Sequence, residues 1–278
     1  MARRVHEERS VGLLYGQRAL LIGALEPRTY VGTISSSKAR QMPFQRLART
    51  AKAHEAVFLG TKEEADRVLD RVQKMHRRVS GTLGTDAGAH AGSSYSAFDP
   101  ELMLWTLAVI ADSGRAIYET TVRPLGYGER EDLWQDYLRF GELFGMPREA
   151  APPTYAEFKA WFDGMLASPD LHPTPHGLGF APVVAFEQPV PWAGRFNLAS
   201  LNMVIKGTLP ARVREIFGIP WGRREEATFR GLTALHRRGI RPLMPGSFRH
   251  GRNDAFFDMV VRGERQRGGT APERAPVS

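Results

Sequence analysis

The amino-acid sequence predicts one all-α domain, and three observations carry that prediction. Apolar residues recur at helical spacing along most of the 278-residue chain. Period-2 alternation bounded by tight turns is scarce. Helix starts are written in capping residues: Thr61 with Glu64, Thr154 with Glu157, and Asp99 ahead of Pro100. The expected organisation is a single domain over residues 1–262 and a disordered basic tail over 263–278, where apolar groups are few and Gly, Pro and Arg many. No internal repeat is visible.

Taken in order, the run ALLIGAL at 19–25 is the first apolar segment. It is followed at once by Glu26, Pro27 and Arg28. A membrane-spanning helix needs about 20 apolar residues, so this is a core helix. Residues 43–58 form a helix with Phe44, Leu47, Ala51 and Phe58 on one stripe. Thr61 opens the next, which reaches Val79 with Gly81 as its stop. Residues 81–98 read as a Gly/Ser/Ala-rich loop. The helix after Asp99 is apolar all round in its first half, from Leu102 to Ile110, and so belongs in the middle of a bundle. Its later positions Asp112, Ser113 and Arg115 reach an edge or a pocket. Further helices are expected near 128–144, 154–167, 190–206, 209–217 and 222–238. Prolines and glycines make 168–183 irregular.

The chain has no cysteine, which excludes disulfides, thiolate metal sites, iron–sulfur clusters and a cysteine nucleophile. Any metal or cofactor must be held by His, carboxylate, Tyr or backbone. The net charge of +8 invites a nucleic-acid reading, but the basic residues mostly alternate with acids, as in KEEADRVLDRVQK. Such faces are usually solvated, and no nucleic-acid partner is expected. No secretory signal and no transmembrane segment is visible, so the expected compartment is the cytoplasm.

Two helices carry the candidate site. On a helical wheel for 43–58, Arg46, Thr50 and His54 line one ridge beside the apolar stripe. Such a ridge is either a wet shoulder or the polar wall of a pocket, and for this helix alone the shoulder is the commoner case. On the next helix Val68, Leu69, Val72, Met75 and Val79 form the stripe, and His76 falls inside it. A histidine there is either a buried neutral imidazole bonded to a carbonyl or an axial ligand to haem iron. Spacing does not decide between the two.

The stretch PFQRLARTAKAHEAVFLGTKEEADRVLDRVQKMHRRVSG, followed by YSAFDPELMLWTLAVIADSGRAIYE, resembles the DUF2236 family of latex-clearing proteins (rubber oxygenases) and MpaB-type oxygenases. The shared elements are Arg–Leu–x–Arg–Thr, a helix end at Phe58–Leu59–Gly60, His–x–x–Val–x–Gly, and Asp–Pro–Glu–Leu–x–x–Trp. They occur in order over residues 40–170. LFGMPREAAPPTYAEFKAWF also looks like the family's later region. The resemblance implies a globin-like helical bundle holding a b-type haem, with His76 as the iron ligand. It implies functional roles for Arg46 and Thr50 in the haem pocket. The arginine would stabilise charge on reduced dioxygen or pair with a propionate, and the threonine would donate a hydrogen bond. Arg49 stands where latex-clearing proteins have a lysine, off the ridge. Two departures stand out. Glu26 occupies the place of a histidine in the family's Ala–His–Pro, either as a base or as a helix-end charge. SSSKARQMPF replaces the usual His–Ser–x–Phe–Arg.

The expected function is that of a haem-dependent oxygenase or oxidoreductase. It would use dioxygen on an apolar small molecule, isoprenoid- or polyketide-like, with an electron donor where the reaction needs reduction. A non-catalytic haem-binding sensor or carrier and a haem-free basic interaction protein are the alternatives. His54 is a further candidate ligand, while His90, His172, His176 and His236 compete only weakly.

Overall fold

The computed structural model describes residues 1–34 and 42–268. The chain begins with helix α1 (Ala2–His6), then α2 (Arg9–Gly23), which contains most of the apolar run, and α3 (Pro27–Ile34). Glu26 stands at the head of α3. Its carboxylate accepts from the Thr29 amide at 2.6 Å and from Arg28 Nε at 2.7 Å. Of the two roles expected for Glu26, this is the helix-end one: an anion placed where helical N–H groups are free. Then come α4 (Pro43–Leu59) and α5 (Lys62–His76), joined through Gly60 and capped by Thr61, whose hydroxyl accepts from Glu64 N.

The sequence expectation for the next stretch needs correction. The helix stops at His76 rather than Val79, and residues 81–98 are not all loop. Strand β1 (Ser80–Thr82) pairs antiparallel with β2 (Ser94–Ser96), with Gly81 opposite Tyr95. A side chain at Gly81 would collide with the Tyr95 hydroxyl at 2.8 Å, so the glycine lets the ring lie flat across the hairpin. Three-residue strands with exposed serines carry no alternation, which is why periodicity could not reveal them.

Helix α6 (Pro100–Thr121) is capped by Asp99, which accepts from Glu101 N. Leu102, Leu104, Trp105, Leu107, Ala108, Val109 and Ile110 are all buried, as the all-round apolar pattern predicts. Its packing against α2 forms the centre of the molecule. Asp112 and Ser113 do not reach a pocket. They are buried against Arg18 of α2, which donates to Asp112 Oδ2 and Ser113 Oγ at 2.8 Å each. Asp112 and Ser113 fall in a stretch of α6 that is buried without a break from Leu107 to Gly114, so they pair across the α2–α6 contact.

Helices α7 (Tyr127–Leu143) and α8 (Tyr155–Ala167) form a pair on one flank, with Trp134 stacked on Phe158 at 4.0 Å. α7 ends at Gly145, whose φ of +100° suits glycine, and the Met146 amide returns to the Gly141 carbonyl at 3.0 Å. The region expected to be irregular contains α9 (Pro175–Phe186). Pro175 sits in the first turn, where its missing N–H costs nothing, and Thr174 Oγ1 accepts from Gly177 N at 3.0 Å. Pro175 starts a helix instead of preventing one, and Pro182 lies within it. Helix α10 (Arg195–Thr208) follows a short 3₁₀ turn, then come α11 (Ala211–Ile216) and α12 (Arg223–Ala234). The chain continues through a π-helical stretch at 235–240 into α13 (Arg241–Leu243), α14 (Gly246–Arg249) and α15 (Asp254–Gln266).

The predicted tail boundary also moves. Residues 263–266 are helical, and Glu264 is buried. Residues 269–278 of the predicted tail lie outside the described residues, as do residues 35–41, which include most of the SSSKARQMPF stretch. Among the described residues no helix is long and apolar enough to cross a membrane.

Candidate functional site

The site begins with the register of α4. Its first free amides are satisfied from the far end of the chain: Glu264 of α15 accepts from Phe44 N at 3.0 Å and Gln45 N at 2.7 Å. The next residue is Arg46. Its side chain is half-buried, and none of the described carboxylates forms an ion pair with it. Burial pulls the guanidinium down to about 10, and Tyr30 acts in the opposite sense. Arg46 remains charged at neutral pH, but as a poorly solvated cation without an anion among the described residues.

His76 lies at the end of α5, half-buried, with its ring edge-on to Phe98 at a centroid distance of 6.1 Å. Its Nδ1 is buried and has no hydrogen-bond partner. Burial, and after it the charge of Arg46, hold the imidazole below its usual range. The ring is therefore neutral at pH 7, with its lone pair available. The electrostatic influence of Arg46 on both Tyr30 and His76 places the three side chains around one region. No carbonyl among the described residues accepts from or bonds to His76 Nδ1.

Tyr30 and His176 complete the group, and the sequence reading did not join them to it. Tyr30 is 2% exposed, and its hydroxyl lies 2.7 Å from His176 Nδ1. Burial pushes the phenol well above its usual range, with Arg46 opposing. The contact depends on Gly177, where a Cβ would stand 3.3 Å from the Tyr30 ring. The only sequence signal was the Thr–Pro–His–Gly start of α9, whose cap sets His176 in the first turn.

The ridge of α4 does not act as one wall. Arg46 turns inward, Thr50 is exposed, and Arg49 is exposed with its guanidinium on Gln45 Oε1 at 2.6 Å. His54 joins a different cluster. Its Nδ1 is 2.9 Å from the Tyr15 hydroxyl and its ring is edge-on to Phe140 at 5.4 Å. Burial lowers His54 to about 4. Two turns of helix separate His54 from Arg46, and it is engaged with α2 and α7. His172 stacks on His90 at 5.6 Å and forms no helical pair with His176. His236 is half-buried and is lowered by burial and then by Arg241. Among the described residues no group of three or more His, Asp or Glu could hold a metal ion.

Among the described residues the arrangement offers one neutral imidazole with an unengaged buried nitrogen, one desolvated cation without a counter-ion, and a tyrosine–histidine hydrogen bond beside them. Residues 3–238 match the model of the family described as ER-bound oxygenase mpaB/B'/Rubber oxygenase, catalytic domain. An uncharacterized protein of Mycobacterium bovis and another of Mycobacterium tuberculosis are each 30% identical to the chain over 213 residues, which span 73% of this chain and 77% of theirs. No solved structure matches.

Proposed function

Because the chain belongs to the mpaB/rubber oxygenase catalytic-domain family, we propose that it is a haem-dependent oxygenase acting on an apolar small molecule, isoprenoid- or polyketide-like, in the cytoplasm. The observation that supports the haem reading is the buried His76 Nδ1, which no group among the described residues engages. A b-type haem asks its protein for one imidazole in an apolar wall and cations for its carboxylates. His76 and Arg46 meet both demands, and the donor set suits a porphyrin better than a bare ion. When bound, haem supplies the iron that activates dioxygen, with reduction from an electron donor where the reaction needs it.

The roles of the chain's own residues follow from their environments. His76 is neutral at working pH, so it ligates without first losing a proton. Arg46 is poorly solvated, so its charge acts at nearly full strength on a propionate or on negative charge developing nearby. The Tyr30–His176 pair holds a polar proton beside Arg46 and fixes the orientation of both rings. Thr50, exposed one turn beyond Arg46, donates its hydroxyl to an incoming polar group at the edge of the site. The apolar first half of α6 forms part of the substrate wall and excludes water.

The test is a visible absorption spectrum of the full chain expressed with haem supply, beside His76→Ala and Arg46→Gln. The expected result is a Soret band near stoichiometric in the parent, lost or shifted in His76→Ala, and retained with weaker haem affinity in Arg46→Gln. Oxygen uptake with apolar alkenes then separates an oxygenase from a haem carrier. A folded parent that takes up no added haem overturns the reading.

A further inference from the structure

A cavity lies at the C-terminal end of α6, about 30 Å along that helix from Phe98. It has a volume of about 300 Å³, at the small end of the range for organic ligands. Three separate parts of the chain bring cations to it: Arg4 from α1, Arg123 from the turn after α6, and Arg241 and Arg249 from α13 and α14, with His250 beside them. The acids on its wall are Glu7 and Glu8.

The pairing inside the cavity is incomplete. Glu8 is bound to Arg241 at 2.5 Å and lies 3.2 Å from His250 Nε2. Arg123 is held by Glu129, which only grazes Arg4 at 3.9 Å. Arg249 has no carboxylate partner among the described residues. The Nε atoms of both Arg241 and Arg249 are buried without a hydrogen-bond partner among the described residues. A buried guanidinium N–H left unbonded is costly, and two in one cavity wall ask for an acceptor.

We propose that this cavity binds the phosphate group of a small ligand. A carboxylate is planar and serves one guanidinium fork from one side. Guanidinium groups converging from three segments call for acceptor oxygens pointing in several directions, which a tetrahedral phosphate monoester presents. The charge count agrees, with four arginines against two glutamates on the wall. The phosphate has two sources, a soluble ester or a lipid headgroup. Leu243 and Phe248, strongly exposed between Arg241 and Arg249, would meet the acyl region in the second case. Haem takes no part in this binding.

The experiment has two arms on the purified full chain: calorimetric titration with glycerol 3-phosphate, and sedimentation with phosphatidylcholine vesicles with and without phosphatidic acid. Saturable binding of glycerol 3-phosphate without vesicle sedimentation identifies the soluble source. Sedimentation that needs phosphatidic acid, and that excess glycerol 3-phosphate reverses, identifies the lipid. In either case Arg249→Gln and the more exposed Arg4→Gln weaken binding roughly tenfold or more, and Glu7→Gln strengthens it by removing the unpaired acid from the wall. That opposite response cannot arise from misfolding. No binding in both arms overturns the proposal, as does binding that Arg249→Gln and Glu7→Gln leave unchanged.

Discussion

The Arg18–Asp112 pair at the α2–α6 contact should behave as a unit that is expensive to break singly and cheap to remove whole. Arg18 is 2% exposed and Asp112 is 4% exposed. The Arg18 guanidinium donates to Asp112 Oδ2 and Ser113 Oγ, and to the Thr208 carbonyl at 3.1 and 3.0 Å. Arg115 supplies a second cation to Asp112 at 2.6 Å. Burial pushes the Asp112 carboxyl up, but Arg18 and Arg115 more than offset it and hold it at about 2. Asp112→Leu leaves Arg18 buried without a counter-charge and should cost about 3–5 kcal/mol. That is a large share of a total stability on the order of 5–15 kcal/mol. In Arg18→Leu/Asp112→Leu no buried charge is stranded, because Arg115 retains Glu119 at 2.6 Å. The double variant should therefore be more stable than Asp112→Leu, with a coupling of roughly 2 kcal/mol or more. Urea unfolding followed by circular dichroism measures all four corners of the cycle. The same pair sets an acid limb. A depressed carboxyl contributes stability that is present above its unfolded value near 4 and lost as pH falls through about 2. That limb should shrink in the double variant. A loss below about 1 kcal/mol for Asp112→Leu, or strict additivity of the two single changes, would refute the reasoning.

Two further outcomes are expected. His6 is buried, stacked on Phe58 at 3.8 Å and within 2.8 Å of the Tyr137 hydroxyl. Burial, and then His54, lower it to about 3, while burial lowers His54 to about 4. Both are neutral when folded and protonate near 6.5 when unfolded. Stability should thus be intact above pH 6.5 and fall as pH drops from there toward 4, by roughly 1.4 kcal/mol per pH unit for each histidine. Urea midpoints at pH 7 and pH 5 test this, with His6→Leu expected to flatten the slope and an unchanged midpoint in the parent counting against it. Glu264→Ala should cost about 1–2 kcal/mol by freeing the Phe44 and Gln45 amides. Thermal unfolding reads that loss, and Glu264→Gln should recover part of it.

Local chemistry determined much of this protein. The capping residues Thr61, Asp99 and Thr154 mark the helix starts they were expected to mark, because an N-cap acts within one turn. The all-round apolar run of α6 announced its central place, because burial depends on the side chains themselves. Arg46 and His76, on consecutive helices, lie near enough for the charge of Arg46 to act on the imidazole. The irregular expectation for 168–183 holds only as far as Thr174, because Pro175, directly after that cap, starts a helix instead of breaking one.

Other features needed the tertiary structure. Arg46, Thr50 and His54 share a ridge in the sequence, yet the fold sends Arg46 inward, leaves Thr50 outside and gives His54 to Tyr15. Which of three equivalent positions meets a partner depends on the helices packed alongside, and wheel angles do not contain that information. Tyr30 and His176 are 146 positions apart, and Glu264 is 220 positions from the Phe44 amide it binds. Periodicity describes one helix at a time. The composition and spacing of this chain determined that it forms capped helices around an apolar centre. Only the three-dimensional packing decided which polar groups are left buried without partners, because an unsatisfied atom is defined by its neighbours, and those neighbours come from remote parts of the chain.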